Sequence, residues 1–349
     1  MYQVISQSRM DDQTSTSATL SIAKQQFVSL LSSLPPAESK DFLDWIIEQH
    51  SLLRSDETMP HDSHKNCLSN AYQHCVSGEE TLQAIIEDLR GRLPLSGICS
   101  SETMFKPEIG QNSDCNPATT AVIDSFLYDD DDIDLLCANN QFSRNYCREC
   151  GSHNTNPLTL ISHSMSTIQM KYIFKTVLPR LSADYTNATI IDIGSRLGAV
   201  LYYAYYFSKF KRIVGIEMNT ELCQIQNEVI QKYGLGNRIE TVCSDVCNVG
   251  ELLHQADVIL LNNTFEFFLQ RSVQISTWKN IRQNICKPGC LLIAVPSLEE
   301  SICIGDGRQP ILDLQSWVIP LNVDAGELAI DYSVDDIDEL NGIHFYKVK

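Results

Sequence analysis

The sequence predicts an α/β fold: a mostly parallel sheet with helices between its strands, preceded by a separate helical region. Three observations carry this reading. Short apolar runs recur in the second half of the chain, each ending in an acid or an asparagine; stretches of helical periodicity separate them; and Gly194 and Gly198 follow the first run at the spacing of a tight strand-to-helix turn.

Thr189-Ile-Ile-Asp-Ile193 reads as the first strand and runs into Gly194-Ser-Arg-Leu-Gly198. Glycines there let the backbone bend and approach a ligand where a Cβ would intrude, and a helix opening near Leu197 offers unpaired N–H groups. Arg212 to Ile216 reads as a second strand ending at Glu217. That acid lies about 20 residues past the glycine turn, where nucleoside-binding folds place a carboxylate for ribose hydroxyls. Arg238 to Val242 is a third strand, ending at Ser244-Asp245, and Ala256 to Leu261 a fourth, ending at Asn262-Asn263. Leu291 to Val295 is a fifth, entered through Lys287-Pro-Gly289, and the stretches 220–233 and 273–285 between strands have helical character. Such alternation implies right-handed crossovers and a ligand crevice at the carboxyl ends of the strands. Asp192, Glu217, Asp245 and Asn262 all fall at those ends.

This series resembles the class I S-adenosylmethionine (SAM) dependent methyltransferases, whose fold is a Rossmann-like, mostly parallel sheet of the seven-stranded methyltransferase type. Within that class, Asp192 to Gly198, Gly215 to Glu217 and Asn262-Asn-Thr-Phe265 are similar to motifs of the disruptor-of-telomeric-silencing type histone lysine methyltransferases. The resemblance spans Asp192 to Val295. It implies SAM as cofactor, with Glu217 accepting from the ribose hydroxyls and Asp245, beside the Val246 N–H, taking the adenine amine. It also implies that Gly194, Ser195 and Gly198 cradle the methionine end, that Asp192 faces the ammonium, and that Asn262 lies nearest the methyl group. Phe265, with Phe267 and Phe268, is then a wall for the methyl acceptor. Arg196 departs from the family, which commonly has glycine there; its side chain either points away from the cofactor or closes over the cofactor's carboxylate.

The resemblance implies N-methylation of a protein side chain, lysine first. The alternatives are a catalytically silent scaffold that binds basic partners and an enzyme for a small-molecule amine. No Lys/Arg-rich tail of the kind that holds chromatin is present, so the histone substrate does not carry over.

The formal charge is −18, with 22 acids against 9 bases before residue 146 and 22 against 17 after it. This argues against direct nucleic-acid binding and suits a basic protein partner. No apolar run approaches the ~18 residues of a membrane span, and the N-terminus lacks a long apolar segment, so no membrane is expected. Thirteen cysteines, an odd number spread through predicted elements, suggest reduced thiols and a cytoplasmic or nuclear setting.

The expected organisation is a disordered tail at 1–18, a helical domain at 19–98, an acidic linker at 99–145 and the methyltransferase domain at 146–349. Phe27 to Leu34, Phe42 to Ile46 and Leu82 to Leu89 each show helical spacing. The stretch from Ser96 to Pro117, rich in Ser, Gly, Asn and Pro, reads as a linker, and Tyr128-Asp-Asp-Asp-Asp-Ile-Asp134 as a solvated loop. Cys147-Arg-Glu-Cys150 with His153 is one knuckle where a strong zinc signal has two, and it reads as a zinc-free turn. Ser162 to Ile168 can cap a helix running to Leu178. If it folds over the cofactor as the entry segment of many methyltransferases does, it contributes His163 or Ser164.

Overall fold

The computed structural model describes residues 78–105, 115–148, 155–181, 185–302, 311–328 and 332–349. All belong to one compact unit, 74–349. The tail and the helices expected over Phe27 to Leu34 and Phe42 to Ile46 lie outside the described residues, as do Cys150 and His153.

Helix α1 (78–90) buries Leu82, Ile85, Ile86 and Leu89, one stripe of the helix, as their spacing demands. They enter the same core as Tyr202 and Tyr203, so this helix packs on the sheet domain and is not part of a separate helical domain.

The stretch read as an acidic linker is largely folded. Strand β1 (Thr120–Val122) is followed by buried Ile123, Asp124, Phe126 and Leu127 and by helix α2 (Asp130–Ala138). The aspartate run is therefore a helix start and not a loop. Asp129 caps the helix, its side chain accepting from the Asp132 N–H while Asp132 reaches back to the Asp129 N–H, and the acids of the first turn face the positive end of the helix dipole. Hydrophilic composition misleads here because the polar side chains satisfy backbone groups at element ends.

Strand β2 (Asn145–Cys147) pairs with β3 (Thr155–Pro157), and β4 (Thr159–Ile161) runs parallel to β1. Ser166 and Gln169 form a capping box at the start of α3 (Thr167–Lys171), which continues through a π-helical stretch, Tyr172–Val177, into α4 (Leu178–Leu181).

The main sheet holds β5 (Thr189–Ile193), β6 (Arg212–Glu217), β7 (Ile239–Cys243), β8 (Val258–Asn262), β9 (Leu291–Val295), β10 (Val318–Leu321) and β11 (His344–Val348). Its order is β10-β11-β9-β8-β5-β6-β7, with β11 antiparallel to both neighbours and the other pairs parallel. Helices α5 (Ala199–Phe207), α6 (Thr220–Lys232) and α8 (Arg271–Asn284) lie in the crossovers, with α7 (Gly250–Leu253) a single turn.

The strands alternate between two cores. Ile190, Ile213, Val258, Leu260 and Ile293 face one, and Ile191, Ile193, Val214, Ile259, Leu261 and Leu292 face the other. Each such side chain, fully buried, contributes about 1.5–3 kcal/mol. Both faces being covered is why the strands read as near-continuous apolar runs.

From β5 the chain runs outward through β6 to β7, then crosses back to β8 on the other side of β5. This reversal of strand order opens a crevice at the carboxyl ends of the strands.

Candidate functional site

The crevice is built around the turn after β5. Gly194 and Gly198 have φ of 78° and 83°, where a side chain is strained. Close packing adds to this: a Cβ on Gly194 would stand 2.8 Å from Thr264 Cγ2, and one on Gly198 2.6 Å from the Tyr202 hydroxyl. Between them Arg196 also adopts a left-handed conformation, φ 42°, without a glycine's freedom. The Gly194 and Ser195 N–H groups donate to the Ile216 carbonyl, which ties the turn to β6.

Asp192 and Glu217 are both buried. Glu217 Oε2 accepts from the Arg196 N–H at 2.9 Å and Oε1 from the Asn219 N–H at 2.8 Å. Burial still raises its carboxyl above the ordinary value, against the pull of those two bonds. Asp192 has no hydrogen-bond partner among the described residues, and burial, then the nearby Glu217, push its carboxyl up to about 8.

Of the other expected cofactor residues, Ser195 turns away: its hydroxyl donates to Gln226 Oε1 at 3.0 Å, and Gln226 Nε2 donates to the Arg196 carbonyl at 2.6 Å. Its hydroxyl thus fixes the turn from behind. Asp245 is exposed and accepts from the Cys247 N–H at 2.8 Å, capping the 3-10 turn Val246–Asn248, while Val246 is buried. Asn262, at the end of β8, donates through Nδ2 to the His163 carbonyl at 3.4 Å.

The aromatic trio divides. Phe265 lies in the core, edge-on to Trp278 with centroids 5.4 Å apart, so the wall role expected for it is corrected to a packing role. Phe267 and Phe268 instead flank the His163 imidazole, at centroid distances of 4.8 and 5.2 Å. A short loop after β8 cannot point all three rings one way. His163 is buried, neither ring nitrogen has a partner among the described residues, and burial, then Arg196, push its pKa down to about 3.

Residues ahead of the sheet complete the site. Arg196 pairs with Glu102, donates through Nη2 to the Gly97 carbonyl at 3.1 Å, and lies 5.2 Å from the centre of the Phe268 ring. Ser101 bonds Asn219 and Glu221, and the Phe105 N–H donates to the Phe267 carbonyl at 2.8 Å. Ser164 Oγ donates to the buried Asp124 carboxylate at 2.6 Å. Sequence reasoning reached His163 and Ser164 through the entry segment, and missed Glu102 and Gln226. An acid 94 positions from its partner leaves no local signal.

Among the described residues no group of His, Cys, Asp and Glu side chains is arranged to hold a metal ion.

Residues 191–294 match a family model described as a methyltransferase domain. Among solved structures, the chain is similar to an RNA methyltransferase from Salinibacter ruber in complex with S-adenosyl-L-homocysteine, at 14% identity and a TM-score of 0.33 over 52% of this chain and 90% of that one. It is similar to a putative O-methyltransferase from Klebsiella pneumoniae, at 13% identity and 0.36 over 54% and 83%. It is similar too to a putative SAM-dependent methyltransferase from Methanococcus maripaludis, at 22% and 0.28 over 36% and 56%. No curated protein matches the chain.

The sheet order and the matched segment give the fold of the class I SAM-dependent methyltransferases, a fold that implies S-adenosylmethionine as cofactor. The donor set fits that molecule. A buried carboxyl without a partner, beside a second acid at the next strand end, suits a ligand that carries both a sulfonium and an ammonium charge.

Proposed function

We propose that this methyltransferase N-methylates a protein side chain, a lysine, in a basic partner, as the disruptor-of-telomeric-silencing type enzymes do. The observation that carries the reading is the wall beside Asn262: the Phe267 and Phe268 rings and a His163 imidazole whose two nitrogens have no partner among the described residues. A free amine has an unperturbed pKa of about 10.4, and desolvation between apolar rings lowers it toward the neutral form a nucleophile needs.

Bound SAM supplies an activated methyl group and a thioether leaving group. The chain's own residues do the rest. Glu217 and Asp192 would hold the cationic donor, Glu217 at the ribose hydroxyls, and Asp245 and the Val246 N–H would take the adenine. The Asn262 side-chain oxygen and a neutral His163 nitrogen accept hydrogen bonds from the amine and aim its lone pair. Alignment of this kind lowers the barrier for an in-line displacement without an acid–base pair. His163, held neutral, orients the amine and does not store its proton. The net charge of −18 favours encounter with a basic protein, and the reduced thiols suit the cytoplasm or nucleus.

The test is to incubate the purified chain with radiolabelled SAM in cell extract and separate macromolecules from metabolites. Label in protein that resists nuclease and yields methyl-lysine on hydrolysis supports the reading. Label confined to metabolites or nucleic acid removes it.

A further inference from the structure

Among the described residues Arg196 is the only fully buried lysine or arginine, and it stands in the cofactor turn itself. Its backbone is left-handed and its side chain is nine-tenths buried, so the fold tolerates two unfavourable features to keep a guanidinium at this point. The group is incompletely satisfied. Nη1 meets Glu102 and Nη2 meets the Gly97 carbonyl, while Nε is buried without a partner among the described residues.

Around it are the carboxyl groups of Glu102 and Glu217, with Asp192 at the next strand end. These acids can take the cationic parts of the cofactor, but none of them can take its α-carboxylate. That needs a donor fork, and Arg196 is the one on offer.

Glu102 is a carboxylate supplied by the chain itself. Its Oε2 accepts from the Cys99 N–H at 2.7 Å, and the neighbouring Ser101 holds the segment to Asn219 and Glu221 through side-chain bonds. Exposed hydroxyl and carboxylate contacts of that sort are replaced by water at little cost. A guanidinium held by one internal carboxylate, with its Nε–H unpaired, can exchange that carboxylate for another.

We propose that Arg196 is the anchor for the cofactor's α-carboxylate, and that Glu102 is its internal competitor, occupying the anchor until the cofactor displaces it. The proposal rests on the cofactor reading above and goes further by assigning which residue discriminates the amino-acid end. It also couples the segment 97–105, outside the matched domain, to cofactor occupancy.

Titration calorimetry on the full chain tests it with two ligands, S-adenosylhomocysteine, which has the amino-acid end, and methylthioadenosine, which lacks it. Glu102→Gln keeps the Cys99 contact and removes the competing charge. It is expected to bind S-adenosylhomocysteine at least threefold more tightly and methylthioadenosine unchanged. Arg196→Met is expected to lose tenfold or more for S-adenosylhomocysteine and less than twofold for methylthioadenosine. Should that variant fail to fold, Glu102→Gln alone decides, because a merely structural ion pair predicts the opposite sign. Weaker or unchanged S-adenosylhomocysteine binding by Glu102→Gln overturns the assignment while leaving the cofactor reading intact. No heat from either ligand with wild type and Glu102→Gln overturns both.

Discussion

Asp192 and Glu217 stand at the ends of adjacent strands, β5 and β6, both buried, and the charge of Glu217 adds to burial in pushing the Asp192 carboxyl up to about 8. Glu217 is answered by two backbone N–H groups; Asp192 is answered by nothing among the described residues. The asymmetry marks where a positive charge belongs.

Cofactor binding is therefore expected to release protons. The ligand's ammonium favours the ionised carboxyl, so affinity for S-adenosylhomocysteine should rise as pH goes from about 6 toward 8 and level off above. Calorimetry in buffers of different ionisation enthalpy reads the released protons directly; their absence near pH 7, or pH-independent affinity, contradicts the role of Asp192.

The same group should destabilise the ligand-free fold at high pH. An unfolded aspartate titrates near 3.9. Because folding raises this carboxyl, the folded state binds the extra proton between those values, and stability falls as pH rises from about 4 through about 8. Asp192→Asn is expected to raise Tm by a few degrees at pH 8 while weakening S-adenosylhomocysteine binding roughly tenfold or more. A lower Tm at pH 8 would show that the carboxylate is satisfied in the fold.

Phe265→Ala separates packing from chemistry. Removing a buried ring that packs on Trp278 should cost about 3–5 kcal/mol in urea unfolding. Protein that remains folded should bind S-adenosylhomocysteine with unchanged affinity. A large loss of binding with little loss of stability would return Phe265 to the pocket.

His163→Leu keeps bulk and burial and removes both ring nitrogens. Cofactor affinity is expected to hold, whereas kcat should fall about tenfold, the worth of roughly one hydrogen bond. Because the imidazole is pushed down to about 3, the pH–rate profile of the wild type should show no inflection near 6.5 that His163→Leu abolishes. Finding one would mean that the ring is protonated in the working enzyme.

Much of the catalytic half was legible because a parallel sheet covered on both faces writes itself locally. Each strand is a short apolar run, each crossover helix a periodic stretch, and each ligand-facing position the polar residue where a run stops. The strands from Thr189 to Val295 and the acids Asp192 and Glu217 follow that rule. The stretch from Ser96 to Asp134 does not, since its order comes from capping and from buried residues such as Asp124 whose partners lie far along the chain.

The amino-acid sequence by itself determined the class of sheet, the glycine turn and the carboxylates at the strand ends, because spacing and side-chain chemistry within a few residues suffice for each. Only the tertiary structure decided that Phe265 is core while Phe267 and Phe268 flank His163, that Ser195 faces Gln226, and that Glu102 reaches Arg196. Those choices depend on which segments share a buried volume. That is a property of the packed chain: at such separations the sequence carries residue types but no distances.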